Sequence, residues 1–221
     1  TYIWAKGDGN DILDDNGTSR IETDTLQLTD VASDDVTLTR ANGSDDMQLT
    51  IISTGSVIDV HEQFNNSNYG YGLEAISFSD GVTWSLEDIQ ANTWVNGTSG
   101  NETLHGLSNF DENFNGGAGN DTINGTNSAD VIIGNIGSDL LYGNGGDDTF
   151  TLTPGDTGFD RYIGGDGVDT VLGNTGDDVI RLSVFSGGNT VEMINGGNGT
   201  NTIVASSSHS TLDFTNTTLL N

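Results

Sequence analysis

Carboxylates recur along the second half of the chain at a near-fixed interval: Glu102, Glu112, Asp121, Asp130, Asp139, Asp148, Asp160, Asp169, Asp178 and Glu192, with neutral Asn201 next in line. Each stands sixth in a nine-residue block whose first, second and fourth places favour glycine, as in GGAGNDTIN at Gly116–Asn124 and GGDGVDTVL at Gly164–Leu172. Acidic oxygens beside bare backbone carbonyls suit a hard divalent cation. Ca²⁺ takes about six to eight oxygens and tolerates irregular geometry better than Mg²⁺ does. The repetition argues against catalysis, because a glycosidase needs one carboxylate pair and not one at every turn. Glycine loops often cradle phosphate, but loops this acidic would repel it.

The elements that must position these acids follow from the same blocks. After GGAGNDTIN come GTNSADVII from Gly125, GNIGSDLLY from Gly134 and GNGGDDTFT from Gly143. Leu152, Thr153 and Pro154 interrupt the count, which resumes from Gly155, Gly164 and Gly173. Leu182–Ser186 interrupt it again before two weaker blocks from Gly187 and Gly196. Upstream lie blocks from Gly97 and, one residue out of phase, from Leu107, where Asn109-Phe110 spoils the turn. The eighth place is always large and apolar: Leu104, Phe114, Ile123, Ile132, Leu141, Phe150, Tyr162, Val171, Ile180, Ile194, Ile203. The first six places therefore make a tight turn, and the last three a short strand with one side chain pointing inward. Two blocks make a coil of about eighteen residues, and stacked coils bury an apolar seam that one coil alone cannot. Stacking also sets each sixth-place carboxylate near the one two blocks on.

Composition sets the terms for such a fold. The 221 residues include 33 acids against 5 bases, a net charge of −28, with 32 glycines, no cysteine and only 33% hydrophobic residues. Nucleic acid and anionic membrane are poor partners for that surface. No apolar run approaches the ~18 residues of a membrane-spanning helix, so membrane insertion is not expected. Disulfides are impossible, and self-repulsion opposes compaction unless cations offset it.

GGAGNDTIN, GGDGVDTVL and GNIGSDLLY resemble the RTX (repeats-in-toxin) haemolysin-type nonapeptide GGxGxDxUx, a known Ca²⁺-binding β-helix pattern. The resemblance implies an all-β, right-handed parallel β-roll over residues 96–204, with 205–221 as a further repeat or an edge strand. It also implies that position-six acids and glycine-turn carbonyls hold about five or more Ca²⁺ ions. The residues it points to are Asp121, Asp130, Asp139, Asp148, Asp160, Asp169 and Asp178, the turn glycines Gly116, Gly134, Gly143, Gly164 and Gly173, and the less regular Glu102. Implied pairs are Asp121/Asp139, Asp139/Asp160 and Asp160/Asp178 on one face, and Asp130/Asp148 and Asp148/Asp169 on the other. A secreted or cell-surface bacterial protein exported by type I secretion machinery is implied too.

Residues 1–95 lack the grid apart from Gly7-Asp8-Gly9-Asn10-Asp11-Ile12-Leu13, whose Asp8, Asn10 and Asp11 either ligate Ca²⁺ or close an Asx turn. Alternating apolar residues predict strands at 25–28, 36–39, 47–51, 57–60, 75–78 and 82–84, the last two joined through Ser79-Asp80-Gly81. Ser85-Leu86-Glu87-Asp88 reads as a capping box opening a short helix to about Asn92. This small β-rich domain resembles the haemolysin-type calcium-binding-related domain, on GDGNDIL, Asp34–Leu38 and Ile76-x-Phe78-x-Asp80-Gly81-x-x-Trp84-x-Leu86-x-x-Ile89. Thr1–Trp4 reads as the tail of a preceding repeat, which marks the chain as a piece of a longer repeat protein.

His61, His105 and His209 are scattered singly, and no nucleophile–base pair stands outside the repeat, so no enzyme is expected. Trp4, Trp84 and Trp94 read as core anchors. The leading expectation is a Ca²⁺-binding module that folds after export and stabilises its parent protein. The alternative is a carbohydrate- or surface-binding adhesin module, or an accessory domain of a secreted polysaccharide-modifying enzyme.

Overall fold

The computed structural model describes residues 1–14, 23–65, 72–107, 110–186, 188–207 and 212–220. Two compact units divide the chain, Thr1–Trp94 and Val95–Asn221.

In the first unit the strands are β1 (Tyr2–Trp4), β2 (Asp11–Leu13), β3 (Thr25–Leu28), β4 (Val36–Arg40), β5 (Met47–Ile51), β6 (Val57–Val60), β7 (Ala75–Ser77) and β8 (Thr83–Ser85). The helix α1 (Leu86–Asn92) follows, and β9 (Thr93–Asn96) leads out of the unit. β4, β5 and β6 form an antiparallel meander, with Leu38 opposite Leu49 and Leu49 opposite Ile58. Their alternation buries Leu38, Leu49, Ile51 and Ile58 while Thr37 and Gln48 face water. β7 and β8 form the expected hairpin, closed by Asp80 Oδ1 accepting the Val82 N–H, with Phe78 edge-on to Trp84 at 4.7 Å. Ser85 and Asp88 close a reciprocal capping box at the start of α1. β1 runs parallel to β3, and β2 parallel to β6.

The second unit is a parallel β-solenoid. One face carries β10 (Thr103–His105), β12 (Thr122–Asn124), β14 (Leu140–Gly145) and β16 (Arg161–Asp166) in one sheet, then β18 (Val179–Leu182) paired with β20 (Thr202–Ala205). The other face carries β11 (Asn113–Asn115), β13 (Val131–Ile133), β15 (Thr149–Thr151), β17 (Thr170–Leu172), β19 (Met193–Asn195) and β21 (Thr218–Leu220). Each strand is parallel to the one two blocks on, as Ile132 beside Phe150 and Phe150 beside Val171 show. The eighth-place side chains form a continuous core from Leu104 to Ile194, with Phe150 edge-on to Tyr162 at 5.5 Å. A buried side chain of this size contributes about 1.5–3 kcal/mol, so one seam residue per block holds the coil without a thick interior.

The insertion at Leu152–Pro154 is absorbed outside the strands. Leu140 still pairs with Arg161, and Thr149 with Thr170. The region from Leu182 is different. There β16 and β18 are joined only by an isolated bridge from Asp160 to Leu182, and a cleft of about 410 Å³ opens beside the turn that carries Asp156 and Asp160.

Candidate metal centre

Position six has two jobs, one on each carboxylate oxygen. The first is a rung between turns. Asp139 Oδ1 accepts the N–H of Asp121, and Asp160 Oδ1 accepts the N–H of Asp139, at 2.8 and 2.9 Å. On the other edge Asp148 Oδ1 accepts from Asp130, and Asp169 Oδ1 from Asp148, both at 2.9 Å. Less regular blocks keep this role. Glu192 Oε2 takes the Asp169 N–H at 2.8 Å, and Asn201 Oδ1 takes the Asp178 N–H at 3.0 Å. A rung needs only an oxygen acceptor, so Glu and Asn substitute for Asp.

The second oxygen separates the sites. In Asp121, Asp139, Asp148 and Asp169 the Oδ2 atom is buried and has no hydrogen-bond partner. A buried carboxylate oxygen left bare costs several kcal/mol unless something cationic meets it. Each Oδ2 lies against the first glycine of its own block, close enough that a side chain there would collide with it. A Cβ placed on Gly116 would lie 2.7 Å from both Asp121 Oδ2 and the carbonyl oxygen of Gly134. One on Gly143 would meet Asp148 Oδ2 and, at 2.7 Å, the Gly164 carbonyl. Gly164 and Asp169 Oδ2 repeat the arrangement. A bare carboxylate oxygen and a neighbouring turn's carbonyl thus crowd one small space, a donor set that fits Ca²⁺. Among the described residues no three acid or histidine side chains close on a common point, so the backbone must supply much of any coordination.

Three of the expected aspartates differ. Asp130 Oδ2 accepts the Thr126 N–H at 2.6 Å, where the second place does not take the positive φ found at Gly117, Asn135, Asn144 and Gly165 in the four blocks with a bare oxygen. Asp160 Oδ2 accepts the hydroxyl of Tyr162 at 3.0 Å, and Asp178 Oδ2 the Asn174 N–H at 2.9 Å. The implied Asp160/Asp178 pair is not made. The Asp160 N–H goes instead to the Arg181 carbonyl at 3.1 Å, since β18 is displaced along its own direction at this point. Gly173 faces Asp178 Oδ2 and the Gly196 carbonyl. Glu102 folds into its own turn, accepting the Thr98 hydroxyl and, at 3.0 Å, the Thr98 N–H. Those Thr98 contacts hold its carboxyl below the ordinary glutamate value. Asp11 stands apart in the first unit. Its Oδ2 accepts the Trp4 indole N–H at 2.8 Å, and its strand neighbour Ile58 carries no acid. Asp8 Oδ2 accepts the Ala5 N–H, which closes the turn. His209 lies outside the described residues, as does Asn109.

Burial dominates the electrostatics. It raises Asp139 to about 6, Asp130 and Asp160 to about 7, and Asp148 to about 8, and it raises Asp121 and Asp169 as well. Neighbouring carboxylates add to the effect, Asp121 and Asp156 on Asp139, and Asp130 and Asp169 on Asp148. Without a counter-ion these acids resist ionising, whereas a divalent cation beside them inverts that preference.

A second ladder escaped the sequence reading. Position five accepts from the following coil, in the opposite sense to position six. Asn101 Oδ1 takes the Asn120 N–H, Asn120 Oδ1 the Ser138 N–H, Ser138 Oγ the Phe159 N–H, and Asp177 Oδ1 the Thr200 N–H. Asp147 does the same for Val168 on the other edge. The signal was present in the Asn, Ser and Asp residues beside the conserved-looking sixth place, but their variety hid it.

Comparison with known families agrees with this geometry. Residues 115–150 and 154–183 match the RTX calcium-binding nonapeptide repeat, and residues 46–88 match the haemolysin-type calcium binding protein related domain. No curated protein matches the chain. The chain therefore carries calcium-binding RTX nonapeptide repeats in its solenoid and a haemolysin-type calcium-binding-related domain ahead of them.

Proposed function

We propose that the solenoid is a Ca²⁺-dependent folding module of a secreted or cell-surface bacterial protein, without catalytic activity of its own. The observation that carries this is the set of four buried, partnerless Oδ2 atoms on Asp121, Asp139, Asp148 and Asp169, each against a glycine turn. These residues, with the turn carbonyls of Gly134 and Gly164, would hold the ions. Bound Ca²⁺ would supply positive charge that offsets the buried carboxylates and ties successive turns together. At low cytosolic Ca²⁺ the acids would keep the array open, a state suited to type I export. Outside the cell, Ca²⁺ in the ~10⁻⁴–10⁻³ M range of extracellular modules would fold it.

The test is a Ca²⁺ titration of chelated protein followed by far-UV circular dichroism and scattering. The β signal should appear and the chain contract as Ca²⁺ is added, and excess EGTA should reverse both. Asp139→Ala should weaken the response more than Glu192→Ala, because Glu192 supplies a rung and Asp139 supplies a rung plus a bare oxygen. A spectrum indifferent to EGTA would defeat the proposal.

A further inference from the structure

Both ladders stop at the same turn on the same edge. In the turn from Gly155 to Asp160, position six gives its N–H to the Arg181 carbonyl and not to the Asp178 side chain. Position five is Phe159, which has no acceptor to offer the next coil, where Asn101, Asn120, Ser138 and Asp177 each offer one. The Arg181 guanidinium lies over the Phe159 ring, 5.8 Å from its centre. Two glycines report the resulting gap. A Cβ on Gly119, Gly158 or Gly199 would run into the carbonyl of the preceding coil's position-four glycine or, for Gly137, that of Gly119. One on Gly176 meets only its own turn's Asn174 Oδ1, at 4.0 Å, and one on Gly155 meets nothing. On the opposite edge the position-six rungs Asp148–Asp169 and Asp169–Glu192 continue through this level even though Val168, in the fifth place, offers no acceptor, so a continuous fifth-place ladder belongs to the edge of Asn101, Asn120 and Ser138.

From this geometry we propose that Phe159 is a register-setting residue that removes one inter-turn Ca²⁺ position, the one between Asp160 and Asp178, and leaves the joint to the next coil on this edge with backbone bonds to Arg181 and Ser183 in place of a side-chain rung. The proposal rests on the calcium reading above. Phe159 withholds the acceptor that would draw the turn at Asn174–Asp178 onto the turn at Gly155–Asp160. Arg181 covers the ring, and its strand docks four places along, with Leu182 where Asp178 would otherwise sit. The cleft beside Asp156 is the space that a stacked turn would fill.

The experiment counts bound ions by native mass spectrometry and calorimetry, using the full chain in Ca²⁺, for wild type, Phe159→Asn, Phe159→Ser and Phe159→Leu. Asn and Ser restore the acceptor already used at Asn120 and Ser138, while Leu removes the ring without adding one. Phe159→Asn or Phe159→Ser should bind one more Ca²⁺ than wild type, and Phe159→Leu should not. Hydrogen exchange at 179–182 should slow about tenfold or more in the acceptor variants. In calcium-loaded wild type, amides at 179–182 should exchange at least about tenfold faster than those at 140–145. Equal ion counts in all four proteins, an equal gain in Phe159→Leu, or uniform protection across the two segments in wild type would overturn the proposal. Such a result would leave calcium-driven folding intact, because the circular dichroism titration reports that separately.

Discussion

Acidifying the metal-free protein should fold it. With EGTA present at a pH of about 8.5, the buried aspartates must either ionise without a partner or leave the interior. Raising one aspartate from 3.8 to between about 6 and about 8 means that holding it ionised in the fold costs about 3–6 kcal/mol. Relaxation and water entry reduce that figure, yet two or three such groups still match the whole ~5–15 kcal/mol stability of a typical domain. The sign follows from linkage. The folded-state values lie above the unfolded ones, so the fold binds more protons, and its stability falls as pH rises through about 6 to 8. Lowering the pH to about 5 should therefore restore β signal and compactness in EGTA, with a midpoint between about 6 and 8. Calcium should show the opposite dependence, binding more weakly as protons compete for the same oxygens. Far-UV circular dichroism against pH, with and without Ca²⁺, measures both. Metal-free stability that is flat or rises across that interval would refute the argument from burial.

Further outcomes follow from single positions. Asp148→Asn keeps the oxygen that accepts the Asp130 N–H and removes the bare one. Chemical denaturation in EGTA near pH 8 should show it about 1–3 kcal/mol more stable than wild type, while Ca²⁺ calorimetry should show affinity about tenfold lower, or about 1.4 kcal/mol. Gly119→Ala combines a φ of +122° with a collision against the Gly100 carbonyl, whereas Gly176→Ala has a φ of +147° and open space. Thermal denaturation in Ca²⁺ should show only the backbone cost of about 1–3 kcal/mol for Gly176→Ala, and a larger loss for Gly119→Ala. Phe150→Ala empties a fully buried seam position and should cost about 3–5 kcal/mol in the same assay.

The fold was legible because its rule is periodic. One apolar residue at every eighth place set the seam, the block length set the coil, and the neighbours of Asp139 and Asp148 followed from counting. The meander and the capped helix were legible from alternation and from Ser85 and Asp88. The fine structure of the site was less so, because it depends on which second group reaches a given oxygen. Thr126 satisfies Asp130 through its backbone and hydroxyl, and nothing in GTNSADVII distinguishes that from a bare site. Tyr162 fills the seam like any other eighth-place residue, and only its position shows the hydroxyl turned back on Asp160. The isolated GDGND motif reads like a repeat, but Trp4 occupies Asp11 and β6 brings no matching turn beneath it.

The two ladders run in opposite senses, so the solenoid has a grammar of attachment. Along the edge of Asn101, Asn120 and Ser138 a coil joined ahead of another presents an amide or hydroxyl oxygen at its fifth place, whereas on the opposite edge, behind Ala129 and Val168, the coils join through the sixth-place oxygen without one. Blocks can therefore be shuffled within the array, but none can be inserted upside down. An engineer extending it could control where a tandem run couples or parts by choosing a single side chain at the junction.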